Sequence, residues 1–113
     1  MGYNRELLKG TTPMLILKIL SIGDLYGYEL VKKLEEMSDH SLSLKQGSLY
    51  PILHNLEESG CLTAYWEDTD SDRKKKFYHI TDAGKKRLAD LIEEWNQYSN
   101  SIFTVINREG AYD

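Results

Sequence analysis

Apolar residues along this chain follow a helical spacing first, then short aromatic and branched runs, then a helical spacing again. Met14, Leu15, Ile16, Leu17, Ile19 and Leu20 surround a single lysine, the pattern of a mostly buried helix. Thr12-Pro13 in front of them has the form of an N-cap followed by proline at the first helical position. A start near Asn4, with Pro13 kinking the helix, fits as well, and Gly23 ends it. A second helix is predicted from about Tyr26 to Met37, with Tyr26, Leu30, Lys33, Leu34 and Met37 on one stripe. Ser38 to Ser43 reads as a loop. A third helix is predicted from about Gln46 to Ser59, turning Leu49, Ile52, Leu53 and Leu56 inward. Pro51 lies early in it, where a missing donor costs least, and Gly60 stands where a left-handed C-cap is needed.

After Gly60 the period changes. Cys61 to Trp66 and Lys76 to Ile80 are β-prone segments, and Asp68-Thr69-Asp70-Ser71-Asp72 between them is a polar turn. Together they predict a hairpin. Thr81 then caps a final helix from Asp82 to roughly Asn107. In it Leu88, Leu91, Trp95, Tyr98, Ile102 and Val105 are spaced 3, 4, 3, 4 and 3 residues apart, a heptad seam. About 25 residues at ~1.5 Å rise make a rod of nearly 40 Å, longer than the body it leaves. A rod with an apolar seam beyond its own domain predicts pairing with a second copy, that is, a homodimer. The competing reading folds the seam back onto the monomer's own core.

The order helix, helix, helix, hairpin, helix is the winged helix-turn-helix layout, mainly α with a small β-hairpin wing (α+β). Residues 1–81 are expected to form the winged-helix domain and 82–113 the C-terminal dimerisation helix and tail. In this layout the third helix meets the major groove and the hairpin reaches the neighbouring backbone.

The 113 residues suit one core, and 41% hydrophobic with 28% charged residues is a globular balance. No apolar run is long enough to span a bilayer, so no membrane partner is expected. Arg5, Glu6 and Lys9 argue against a signal peptide. The lone Cys61 fits a reducing cytoplasm. The net charge of −4 argues against a simple nucleic-acid coat. The charge is segregated, however: Arg73 to Arg87 holds seven basic residues and one acid, Asp82. Such a patch on an acidic body can hold a phosphate backbone while the rest repels other polyanions; an ordinary solvated helix face explains Lys85, Lys86 and Arg87 equally well.

Three blocks carry a resemblance. Leu25-Tyr26-Gly27-Tyr28-Glu29-Leu30, the run from Gly47 to Gly60, and the run from Arg73 to Gly84 resemble, in order and spacing, blocks of PadR-family transcriptional regulators. The single last helix is similar to the short subgroup. The resemblance implies a dimeric winged-helix regulator of double-stranded operator DNA, usually a repressor that a small molecule releases. It also implies that the last helix packs with the partner's N-terminal helix. In some short members an aromatic residue on that helix lines an interface cavity for flat apolar ligands. The chain departs from the pattern at Tyr26, where His is common, at Asn55, where Arg is frequent, and at Lys45, where a Ser or Thr N-cap is usual.

Residue chemistry assigns candidate roles. Ser48 and Tyr50 carry hydroxyls suited to phosphate, and Lys45 and Gln46 precede them, Gln being able to pair with adenine. His54 lies one turn beyond Tyr50. Tyr50 as a packing aromatic and His54 as a solvated surface residue are the bland alternatives. In the wing Arg73, Lys74 and Lys75 are the expected backbone contacts, because the tip is acidic. Trp95, with Tyr98 nearby, is the candidate site for a small aromatic effector; filling the interface is its simpler role. His40, His54, His79 and Cys61 show no metal-ligand spacing, and no phosphate loop or catalytic carboxylate pair is present. Neither an enzyme, a cofactor nor a metal is therefore expected. The alternative class is a winged-helix dimer that docks protein instead of DNA.

Overall fold

In a computed structural model that describes residues 5–69 and 73–110, the chain forms four helices and a three-stranded sheet. Helix α1 runs Arg5–Ile22, through Pro13 without a break. The early start is thus the one adopted, and Thr12 is not an N-cap. Its hydroxyl instead donates back to the Leu8 carbonyl (2.5 Å), and Thr11 does the same toward Leu7 and Leu8. These hydroxyls back-bond onto carbonyls of the preceding turn, one residue short of the Lys9 carbonyl from which Pro13 withdraws a donor. Asn4 lies outside the described residues.

Strand β1 is the two-residue Leu25–Tyr26, and α2 spans Gly27–Met37. Tyr26 therefore sits in the strand at the helix entrance, where its N–H meets the Glu29 carboxylate (3.4 Å), rather than on the helical stripe. Of that stripe only Leu30 and Leu34 are buried. Lys33 and Met37 are exposed, because the buried line runs through Gly27, Leu30 and Leu34 and the last turn overhangs. Helix α3, Gln46–Glu58, buries Leu49, Leu53 and Leu56, with Ile52 half-buried against them. Gly60 has φ +82°, and its N–H and that of Cys61 close on the carbonyls of Glu57 (3.1 Å) and Leu56 (2.9 Å). That is the predicted left-handed cap.

The hairpin consists of β2, Leu62–Asp68, and β3, Lys74–Ile80. The strands are longer at the tip than the aromatic runs indicate, because Glu67 and Asp68 stand opposite Lys75 and Lys74, and opposite charges across a ladder favour pairing. The rest of the expected tip, residues 70–72, lies outside the described residues. The sheet order is β1-β3-β2, all antiparallel.

Helix α4 runs Asp82–Ile106, and Thr81 caps it by accepting from the Gly84 N–H (3.0 Å). A Cβ at Gly84 would lie 2.2 Å from the Cys61 carbonyl oxygen and 2.7 Å from the Ile80 side chain. Only glycine lets α4 leave the sheet so closely. The core gathers α1 (Ile16, Leu17, Ile19, Leu20), both inner faces of α2 and α3, then Leu62, Tyr78, Ile80 and Leu88. Cys61 is buried with a free thiol. Beyond Leu91, α4 leaves this body, and the molecule measures 68 × 32 × 21 Å. No described helix is long and apolar enough to cross a membrane.

Candidate nucleic-acid interface

Helix α3 is held by its three buried leucines, which turns its opposite face and N-terminus outward. Lys45 enters it in extended conformation and no side chain caps it. Gln46, Gly47, Ser48 and Tyr50 follow, all exposed. Tyr50 is 51% exposed and leans on Gly27 at the start of α2; a Cβ there would stand 3.2 Å from its hydroxyl oxygen. That glycine permits the close approach of α2 to the Tyr50 ring, so Tyr50 packs on one edge and presents the other. His54 is exposed one turn on, with Nε2 3.4 Å from the Glu58 carboxylate.

The wing rises beside this face. Its β3 lysines are braced by neighbours: Lys75 lies over the Tyr26 ring (5.6 Å), and Lys76 over Tyr78 (5.5 Å) and 3.5 Å from Glu57 of α3. Burial raises the Tyr78 hydroxyl above its ordinary range, with the Lys76 charge opposing it. Between wing and helix lies a cleft of about 500 Å³ whose walls include Gln46, Tyr50, Lys74 and Lys75. Four of the residues expected to contact nucleic acid are thus brought together. Lys45 and Ser48 line a smaller hollow of about 280 Å³ on the far side of the α3 entrance, with Arg5, Ser41 and Ser43. His54, further along α3, and Arg73, at the tip, line neither hollow.

Sequence reasoning missed Trp66, Lys76 and Tyr28 on the same cleft. Trp66 is 65% exposed and stands opposite Lys76 in the ladder. Strand alternation supplied the signal: Trp66 shares a face with Ala64 and Leu62, whereas Tyr65 points the other way. On that other face Tyr65 stacks on Phe77 (5.6 Å), which meets Tyr26 edge-on (5.3 Å).

The second candidate site lies on α4. Trp95 and Tyr98 are 6.5 Å apart and tilted, and with Gly10, Thr11, Met14 and Leu91 they line a hollow of about 350 Å³. A second hollow of about 370 Å³ shares Trp95, Thr11 and Met14, and is walled by Leu7, Leu8 and Leu42. Of the seam, Leu88 packs into its own chain's core and Leu91 is half-buried against it. Trp95, Tyr98, Ile102 and Val105 are exposed, as are Phe103 and Ile106 on the flanking face. Among the described residues no group of three metal-ligating side chains gathers.

Residues 16–90 match the transcriptional regulator PadR-like family. The chain belongs to that family. Its members regulate transcription and are not enzymes. A solved PadR-like transcriptional regulator from Bacillus cereus is 30% identical, with a TM-score of 0.77 over 92% of this chain and 99% of that one. Bacillus subtilis PadR, solved in complex with operator DNA, is 30% identical with a TM-score of 0.66, over 73% of this chain and 46% of that one. The negative transcriptional regulator PadR of Bacillus subtilis is 33% identical over 68% of this chain and 42% of its own length. The chain thus spans less than half the length of the Bacillus subtilis relatives and nearly all of the Bacillus cereus one.

Proposed function

We propose that this PadR-family protein is a homodimeric, sequence-specific DNA-binding repressor, released from its operator by a flat apolar or aromatic effector bound beside Trp95 at the dimer interface. The observation that carries the DNA reading is the cleft between α3 and wing. On a chain of net charge −4 it collects Lys74 and Lys75 with Gln46 and Tyr50. The Bacillus subtilis relative bound to operator DNA supports the same reading. In it, Lys74, Lys75 and Arg73 take phosphates from the wing, Lys45, Ser48 and Tyr50 take them at the α3 entrance, and Gln46 and His54 face base edges. Residues 1–81 do the reading and 82–113 join the two copies through Leu91, Trp95, Tyr98, Ile102 and Val105, with Leu88 anchoring the seam.

The two α3 helices must then stand about 34 Å apart to grip one face of B-DNA. Effector beside Trp95 changes the α4 angle and spoils that spacing. Fluorescence anisotropy with duplex from upstream of its own gene, against scrambled duplex at two salt concentrations, tests the reading. Tight, selective and salt-steep binding is expected. Equal, weak and salt-flat binding to both duplexes would contradict it and favour a protein partner.

A further inference from the structure

Three side chains far apart in sequence meet on the face of the wing that looks away from the cleft. Asp24, in the short connection between α1 and β1, accepts from the Tyr65 hydroxyl of β2 (2.7 Å) through one carboxylate oxygen. Its other oxygen lies 2.8 Å from Nδ1 of His79 on β3. One carboxylate thus ties both long strands of the wing to the end of α1. The middle of α1, at Gly10, Thr11 and Met14, walls the hollow beside Trp95. The same helix therefore borders that hollow along its middle and leads, two residues beyond its end, into the carboxylate that holds the wing.

We propose that Asp24 is a positioning residue that latches the wing to α1, so that the set of α1 fixes the angle at which the wing lysines are presented. The proposal rests on the reading of the wing as a DNA contact and of the Trp95 hollow as the effector site. The chemistry favours a carboxylate at this place. It accepts from both partners whether His79 is neutral, with its proton on Nδ1, or charged. The titratable groups around the imidazole are Asp24 from the connection and Tyr65 from β2, with Glu67 further along that strand. Partial burial pushes the Asp24 carboxyl up, but the hydrogen bonds from Tyr65 and His79 and the His79 charge outweigh it, and it sits below its ordinary value. The neighbouring Tyr65–Phe77–Tyr26 ring contacts pack beneath the latch.

The test is amide hydrogen exchange of β2 and β3 in the full chain, read beside duplex affinity. Asp24→Ala should lower wing protection by about tenfold, with thermal stability nearly unchanged, as expected when hydrogen bonds to a charged group are lost locally. Unchanged wing exchange in Asp24→Ala would overturn the latch. Asp24→Asn supplies the conservative rescue. Its amide oxygen can still accept from Tyr65 and its amide nitrogen can still donate to the imidazole, so it should restore most of the wing protection that Asp24→Ala loses. Protection as low in Asp24→Asn as in Asp24→Ala would overturn the role given to the two hydrogen bonds. Duplex affinity should drop about tenfold in Asp24→Ala with its salt slope kept, since the phosphate contacts themselves remain. Absence of salt-sensitive duplex binding in the wild type would instead overturn the DNA reading, and the exchange arms would then decide the latch alone.

Discussion

Two regions of this molecule leave aromatic rings in solvent, and their neighbours differ. On the α3–wing cleft Trp66, Tyr28 and Tyr50 stand among Lys74, Lys75 and Lys76. On outer α4 Trp95 and Tyr98 stand among Ile102, Phe103, Val105 and Ile106. Exposed aromatics among lysines suit a polyanion, which offers phosphates to the charges and sugar edges to the rings. Exposed aromatics among aliphatics suit only another apolar surface, since water gains nothing from either. The contrast assigns opposite responses to salt: binding at the cleft should weaken as salt rises, and pairing along α4 should not.

The sharpest way to break the contrast is to put a charge on one side of it. Ile102→Asp should raise the dimer dissociation constant at least a hundredfold, because each copy would bury an unpaired carboxylate, a cost of about 3–5 kcal/mol. Light scattering should then show monomers at micromolar concentration, and operator binding should fall with it. On the cleft, Lys74→Ala with Lys75→Ala should weaken binding to every duplex and cut the log–log salt slope by about two per protomer; a slope equal to wild type would move the phosphate contacts elsewhere. Trp95→Ala should weaken a planar aromatic probe by about thirtyfold, the loss of a buried aromatic anchor. Its quenching of tryptophan fluorescence should vanish although Trp66 remains. Gly27→Ala should displace the Tyr50 ring by a few tenths of an ångström and cost about 1 kcal/mol or less of duplex affinity, with dimer mass unchanged.

The smallest effect is in pH. The hydrogen bond to Asp24 raises the Tyr65 hydroxyl to about 12. A raised folded value means its contribution to stability is complete below the unfolded tyrosine value of about 10 and fades as pH rises through the folded one. Tyrosinate absorbance should show Tyr65 and Tyr78 titrating late, and one late-titrating tyrosine fewer in Tyr65→Phe. Asp24 is displaced downward, so its contribution is present above the unfolded carboxyl range and is lost as pH falls through the lower folded value.

Much of this architecture is legible in the residues, for identifiable reasons. Buried leucines at helical spacing in α3, glycine at the φ +82° cap and threonine before α4 are local signals, and each forms as its chemistry requires. What escaped was non-local. A two-residue strand has no pattern of its own, and Leu25–Tyr26 becomes β1 only because Tyr78 and Phe77 are there to pair. Thr12-Pro13 imitates a helix start, yet the helix runs on through it from Arg5, with both threonine hydroxyls turned back onto carbonyls of the preceding turn. Four members of the cleft were readable as hydroxyl, amide and lysine positions. Trp66 had its signal in strand alternation, but the Asp24–Tyr65–His79 group had none, since Asp24 meets partners 41 and 55 residues away only once β1 pairs with β3 and the hairpin closes.

The central claim is that the apolar α4 surface joins two copies so that their charged clefts read one operator. Sedimentation velocity with and without a labelled duplex from upstream of its own gene tests it most directly. The account predicts a dimer alone and one dimer per duplex, with the complex dissociating as salt rises while the dimer persists. A monomer at micromolar concentration, or a dimer that leaves the duplex free at low salt, would contradict it.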